Sequence, residues 1–371
     1  MLFWNEMKKI QSIDKIFLGI VFLLALAGLF VFTSASFGLF VSDGLSLRDL
    51  FFDQVGLGFL LGIVLLIVML NIPLNILRSY ALHIFIVAAI LTLLVFIPGL
   101  GAEHGGAKRW LWLGPISFQP SEVLKLGTVI YFAAILALLK DRIQVTKYAI
   151  GVFFGAIAIP SVILLLQPDN GTLAVLFVAM CAMLLASGAK IRVFFILVVI
   201  GIFSVGVLTL TSPHVKARVV TFFNQSNDPQ GASYQIQKSF LAIGSGGITG
   251  RGFGQSIQKF GALPEPTGDS IFAVAAEEFG FIGGTILIIL FLLFGLRGLQ
   301  IAHRAPNSFE SLLAVGIVIL IVSQSFVNIG AMLGVIPLKG IPLIFVSKGG
   351  SALIFAFIEI GILLNISKFT R

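Results

Sequence analysis

The sequence predicts an all-α polytopic membrane protein, with about ten transmembrane helices and one large extracytoplasmic loop between helices 7 and 8. Three observations predict it. Of 371 residues, 58% are hydrophobic and 11% charged, and the mean hydropathy of +1.09 is far above that of a soluble domain. Ten apolar stretches approach the roughly 20 residues needed to cross about 30 Å of hydrocarbon. Between the seventh and eighth, residues 211–268 form the one sizeable polar segment.

The stretches fall at residues 16–37, 55–72, 82–97, 123–139, 148–166, 171–188, 193–210, 279–296, 312–333 and 352–366. Lys8, Lys9 and Lys15 precede the first in the manner of a signal peptide, but its apolar core is longer than such a peptide's and further spans follow, so it reads as an uncleaved first helix. With the N-terminus inside, the inner segments hold these three lysines together with Arg78, Lys140, Arg142, Lys147, Lys190, Arg192, Arg297, Arg304, Lys368 and Arg371. The short outer loops hold Arg48, Lys108, Arg109, Lys339 and Lys348. Thirteen basic residues against five satisfies the positive-inside rule, which puts both termini in the cytoplasm. The whole chain, 1–371, is read as a single integral membrane domain. Its solitary Cys181 lies in an apolar run and reads as a small buried hydrophobe, so neither a disulfide nor a cysteine metal site is available.

Under this topology every unusual polar loop faces outward. One holds Lys108 and Arg109 beside Trp110 and Trp112; basic side chains clamp phosphate oxygens, and the same residues also suit an interfacial anchor. Pro120-Ser121-Glu122 reads as a helix start with a carboxylate at the positive end of the dipole, and Lys125, one turn on, shares its face. The two are either a local ion pair steadying the fourth span or groups facing a polar cavity. Asp169, in the turn Gln167-Pro-Asp-Asn-Gly171, reads first as a helix cap. Ser323, Gln324, Asn328 and Glu359 lie inside spans and are expected to hydrogen-bond between helices.

The glycine series Gly244 to Gly254, which includes Gly246 and Gly247, lacks the βαβ context of a dinucleotide fingerprint. It is expected to fold tightly over a cavity and to have little rigidity until a partner orders it. The polar segment closes on Leu263-Pro-Glu265-Pro-Thr-Gly-Asp269, a carboxylate at the foot of a helix, and chemistry is expected there. With basic groups nearby, that carboxyl is expected to ionise near the ordinary value of about 3.9. No histidine or carboxylate cluster has metal-ligand spacing, so no cofactor is assigned and no divalent-cation requirement is specified. Nothing points to nucleic acid.

Several phrases, in order, carry a resemblance: Gly106-Ala-Lys-Arg-Trp110, Phe118-Gln-Pro-Ser-Glu122 with Lys125, Gln167-Pro-Asp169 with Gly171-Thr172, Tyr234-Gln235, Ala242-Ile-Gly-Ser-Gly-Gly247, Leu263-Pro-Glu265 with Asp269, and Gly340-Ile-Pro-Leu with Phe345-Val-Ser347 and Gly349-Gly-Ser351. Together they resemble the SEDS family (shape, elongation, division and sporulation) over nearly the whole chain. The runs Arg218-Val-Val-Thr-Phe-Phe223, Tyr234-Gln-Ile-Gln-Lys-Ser239 and Gly254-Gln-Ser-Ile-Gln-Lys259 are more like division members (FtsW) than elongation members (RodA). The chain departs from the family where Thr267-Gly268 precedes Asp269 in place of His-Thr, where Lys348 replaces a tyrosine, and where Asn170 replaces a leucine.

The resemblance implies a peptidoglycan glycosyltransferase that polymerises lipid II at the outer membrane face. Such a substrate carries its own pyrophosphate leaving group where ATP is absent. Carried over to matching positions, it implies Asp269 as catalytic base, Lys108, Arg109, Glu122, Lys125, Lys339, Ser347 and Lys348 as substrate-binding residues, and Asp169, Gly246, Gly247 and Glu265 as a structural motif. It further implies a class B penicillin-binding protein and other divisome membrane proteins as partners, the first docking on residues 211–268. A lipid II flippase and an elongation-type polymerase are the alternative readings, and a scaffold that only recruits a transpeptidase is a third.

Overall fold

The computed structural model describes residues 12–42, 52–104, 107–113, 116–223 and 232–369; Lys8, Lys9, Arg48, Gly105, Gly106 and Arg371 lie outside them. The chain enters as α1 (Lys15–Ser42). A π-helical stretch at Phe52–Leu61 continues directly into α2 (Gly62–Asn71), followed by the short α3 (Leu74–Ser79) and by α4 (Ala81–Leu93). Three short strands, β1 (Gly101–His104), β2 (Ala107–Leu113) and β3 (Ile116–Phe118), form an antiparallel sheet in the order β1-β2-β3, with Gly101 opposite Leu111 and Trp112 opposite Ser117. Next come α5 (Pro120–Leu138), α6 (Thr146–Leu166), α7 (Asn170–Ala186) and α8 (Ile191–Thr211). The polar segment holds α9 (Pro213–Phe223) and α10 (Ala232–Gly246), and the chain ends in α11 (Ile271–His303), α12 (Ser308–Met332) and α13 (Gly350–Ser367).

Seven of these helices are long and apolar enough to cross a membrane, and three shorter apolar ones, Gly58–Asn71, Ala81–Phe96 and Asn170–Ala186, occupy the remaining expected positions. All ten expected spans are therefore helical, and the chain is a multi-pass membrane protein. Two features depart from a purely helical reading with one open loop. The loop after α4 pairs into a small sheet, because its Trp- and Leu-rich strands satisfy their backbone groups with each other, and the described residues of 211–268 form two helices and a clamped coil.

α12 forms the centre, packed against α11, α7 and α5, and most of its side chains are buried. α8, by contrast, is almost bare, with only Val193 and Leu197 buried. The residue before α1 meets the last residue of α13 and the far half of α11: the Asp14 N–H donates to Ser367 Oγ at 3.1 Å, and Arg297 Nη2 pairs with Asp14 Oδ2 at 2.8 Å. Asn365 Nδ2 donates to Met69 O and Ile72 O, which closes the same side.

α11 is two helices joined at Gly280, whose φ of 67° and ψ of −165° are not helical. Only a residue without Cβ takes this conformation readily. The groups freed at the break find partners in the glycine series. Arg251 N and Gly252 N donate to Glu277 O and Glu278 O at 3.0 and 2.9 Å, while Phe281 N and Ile282 N donate to Gly247 O and Ile248 O at 2.9 and 3.1 Å. The approach is close: a methyl group on Gly246 would stand 2.1 Å from Ala276 O. The glycine series does fold tightly, as a backbone splice across a broken helix, because unpaired amides near the hydrocarbon would each be destabilising by several kcal/mol.

Candidate active site

Asp269 sits one residue before Ser270, the N-cap of α11. The coil leading to it is wound tightly, with Leu263 N donating to Gln258 O at 2.8 Å, and Gly268 N and Ser270 N both donating to Glu265 O at 3.0 and 3.1 Å. Four further contacts from distant elements fix the chain on either side of the carboxylate. Lys348 N donates to Thr267 O (2.6 Å) and Ser347 Oγ to Gly268 O (2.7 Å). Asn328 Nδ2 on α12 donates to Asp269 O (2.8 Å) and to Ile341 O (2.8 Å), and Gln235 Nε2 on α10 donates to Ser270 Oγ (2.9 Å).

The Asp269 carboxylate faces Arg218 of α9 across the turn at Gly340: a methyl group on Gly340 would stand 3.3 Å from Asp269 Oδ2 and 4.0 Å from Arg218 Nη2. Arg218 Nη1 in turn donates to Lys339 O at 3.3 Å. On the neighbouring side, Arg109 of β2 donates through Nε to Gln167 O at 3.1 Å and through Nη2 to Pro168 O, and its Nη1 lies 3.9 Å from Asp169 Oδ1. Asp169 accepts from Thr172 N and Thr172 Oγ1 at 3.2 and 2.8 Å, and so caps α7. A methyl group on Gly171 would lie 3.4 Å from Lys339 O, which brings this turn against the 338–348 loop.

Electrostatics tie these groups into one basin. Burial lowers the Arg218 pKa, and Arg109 lowers it further, while Asp269 and Asp169 oppose the shift. Burial and then Arg218 lower that of Lys339. The Asp269 carboxyl is pushed up to about 6, first by burial and next by Glu265, against the pull of Arg218 and Arg109. An ordinary carboxylate value was expected from the nearby basic residues; desolvation outweighs them here. Arg218 and Arg109 thus act on a carboxyl that ionises close to neutrality, with Lys339 beside Arg218, an arrangement suited to holding phosphate oxygens beside a proton acceptor.

Several residues expected to bind substrate are placed otherwise. Lys108 is exposed and, as the neighbour of Arg109 on β2, points from the opposite face of the strand. The Ser347 hydroxyl is occupied, donating to Gly268 O and accepting from Leu343 N at 2.8 Å, so it holds the Asp269 coil. Lys348 does so through its main chain and leaves its side chain exposed. Glu122 and Lys125 form a buried ion pair at 2.8 Å, each residue 4% exposed, and Lys125 Nζ donates to Gln324 Oε1 at 2.6 Å. They are buried among helices, paired with each other and with Gln324. Gln324 and Asn328, one turn apart on α12, both reach main-chain oxygens of the 338–348 loop, at Pro342 and Ile341, so they serve the site and not only helix packing. Gly246 and Gly247 belong to the splice. Glu265 is exposed beside Asp269 and anchors the coil with its main-chain oxygen.

Sequence reasoning did not single out Arg218, Gln235 or Asn328 as catalytic or substrate-binding residues. The available signal for Arg218 was a guanidinium on an amphipathic stretch outside the spans. Among the described residues, no group of three or more His, Cys, Asp or Glu is placed to hold a metal ion.

Residues 14–371 match the family model of the FtsW, RodA and SpoVE cell cycle proteins. The chain is 37% identical over 317 residues to stage V sporulation protein E of Bacillus subtilis, covering 84% of this chain and 85% of that one. It is 33% identical over 367 residues to a probable peptidoglycan glycosyltransferase FtsW of Geobacter sp. strain M18, covering 98% and 99%. Among solved structures, a chain of a peptidoglycan synthase complex that coordinates polymerization and crosslinking aligns with a TM-score of 0.74 at 26% identity, over 96% of this chain and 98% of that one. The rod shape determining protein RodA of Thermus thermophilus aligns with a TM-score of 0.67 at 26% identity, over 98% and 97%. The site's carboxylate basin and these end-to-end matches lead to one conclusion: the chain belongs to the SEDS family of FtsW, RodA and SpoVE proteins, with an FtsW-like sequence.

Proposed function

We propose that this protein is a peptidoglycan glycosyltransferase that polymerises lipid II at the outer face of the cytoplasmic membrane, as one integral membrane unit with both termini inside. The observation that carries the reading is Asp269, whose chain is held by contacts from three elements, the 338–348 loop, α12 and α10, and whose carboxyl is raised toward neutrality beside Arg109 and Arg218, with Lys339 next to Arg218. The C4 hydroxyl of one lipid II attacks the anomeric carbon of another; the new C–O bond forms as the bond to the undecaprenyl pyrophosphate breaks, with inversion. The hydroxyl proton passes to the Asp269 carboxylate, and the charge left on the pyrophosphate is met by the three cations. A carboxyl near 6 is a stronger base than an ordinary aspartate and is still mostly ionised at neutral pH. The excess of basic residues in the loops assigned to the inner side supports the orientation.

The FtsW-like phrases around Arg218 and Lys259 and the FtsW relatives support a role in septal synthesis. The synthase-complex relative supports a class B penicillin-binding protein as the working partner. Purified protein reconstituted with such a partner and supplied with fluorescent lipid II is expected to yield glycan strands. Lipid II translocation without strands would favour transport instead, and neither product would leave only the scaffold reading.

A further inference from the structure

The half-helix that leaves Asp269, residues 271–279, ends at the break at Gly280, and its last turn carries two carboxylates that the reaction does not use. Glu277 is enclosed by Ser256 Oγ (2.5 Å), Ile257 N (3.0 Å), Gln258 N (3.3 Å) and Ser245 Oγ (3.2 Å), with Arg251 Nε at 3.7 Å. Glu278 is fully enclosed and makes all its contacts through Oε1, with Lys259 Nζ at 2.8 Å, Ser34 Oγ of α1 at 2.6 Å and Ser256 N at 3.4 Å. Lys259 Nζ also donates to Ser34 Oγ at 2.9 Å, and its side chain is as inaccessible as that of Glu278.

A buried ion pair contributes little net stability compared with apolar residues of the same volume, and its best-attested use is to enforce one arrangement among several. The break at Gly280 makes such enforcement necessary. Residues 271–279 join the remainder of α11 only through Gly280 and the glycine-series splice, so a continuous helix rod does not orient the Asp269 end. The opposite end of the coil is held by Ser347, Lys348, Asn328 and Gln235, and Lys259 lies at the start of the same coil.

We propose that Lys259, Glu278 and Ser34 are positioning residues, a buried ionic latch that locks the Asp269-bearing half-helix and its coil onto α1 and so holds the carboxylate at the geometry of proton transfer. The proposal rests on the polymerase reading for its kinetic consequence, not for its structural one. Glu278→Gln keeps the Oε1 acceptor and removes only the charge, Lys259→Met removes the cation, and Lys259→Met/Glu278→Leu removes both and leaves no uncompensated buried charge.

The test uses the full chain with its class B partner in liposomes. Each single variant is expected to lower kcat at least about tenfold, since sub-ångström misplacement of a reacting group has effects of that order, with KM for lipid II essentially unchanged. The double variant is expected to regain the wild-type Tm without regaining kcat. Recovery of kcat together with Tm, or a loss expressed in KM, would overturn the proposal. A second readout needs no turnover: spin labels on cysteines at the exposed positions 265 and 348, with Cys181→Ala, report the separation of the Asp269 coil from the 338–348 loop. The double variant should broaden that distance distribution, and an unchanged one would refute the latch. If the wild-type protein fails to polymerise lipid II, the enzymatic reading falls while this measurement still decides the latch.

Discussion

The acid limb of polymerisation offers the sharpest test of the site. Burial and Glu265 move the Asp269 carboxyl from 3.8 to about 6, so the base form, which must accept the hydroxyl proton, is lost as pH falls through about 6. A group titrating at about 6 is about nine-tenths ionised at pH 7 and about one-tenth at pH 5, a roughly tenfold loss of rate; one at about 3.9 would lose less than about a tenth over the same interval. Two substitutions move the limb in opposite directions. Glu265→Gln removes a charge that raises the Asp269 pKa and should shift the limb to lower pH. Arg218→Met removes one that lowers it and should shift the limb upward. Initial rates of strand formation from fluorescent lipid II in detergent, measured from pH 4.5 to 8 at saturating substrate, read the limb directly. A rate that stays flat down to pH 5, or two variants that shift it in the same direction, would refute Asp269 as the base.

Asp269→Asn should reduce polymerisation by at least about a hundredfold, the scale of a lost general base. Because the native pKa lies above the unfolded one, ionised Asp269 is unfavourable to the fold at all pH values above about 6, so this variant should melt no lower than wild type at pH 8. Arg218→Met, beyond its effect on the limb, should raise KM for lipid II about ten- to a hundredfold, the scale of a lost charge-assisted hydrogen bond; an unchanged KM would remove Arg218 from the pyrophosphate site. Lys125→Met should lower stability by about 3–5 kcal/mol by stranding Glu122, and Lys125→Met/Glu122→Leu should recover most of it. A Lys125→Met protein with wild-type Tm but lost activity would instead return the pair to substrate binding.

Local patterns carried much of this protein in plain view. Ten apolar stretches became ten helical spans because backbone groups in hydrocarbon have no other way to pair. The Pro-Asp-Asn-Gly turn became a cap because Asp169 needs only Thr172, three residues away, to do so. The spacing of Glu122 and Lys125 on one helix face yielded their ion pair. The Leu-Pro-Glu-Pro-Thr-Gly-Asp phrase marked the carboxylate of the site.

The remaining features depend on which distant elements meet. Lys108 and Arg109 are adjacent and equally basic, yet only Arg109 turns to the Asp169 turn, a choice made by strand pairing with β1 and β3. Arg218 and Asp269 flank Gly340, and Arg218 bonds the main chain of Lys339, because α9 and the 338–348 loop meet beside the Asp269 coil. The raised pKa of Asp269 is a property of that enclosure, since residue types alone set charges but not desolvation. The glycine series looked pliable in isolation and became rigid by splicing the break at Gly280. The sequence by itself determined the membrane class, the spans and the position of the site's carboxylate, since hydrophobicity and short-range hydrogen bonds are written locally. Only the tertiary structure decided which cations face that carboxylate, how strongly it holds its proton and what keeps it in place, because these arise from packing between segments far apart in the chain.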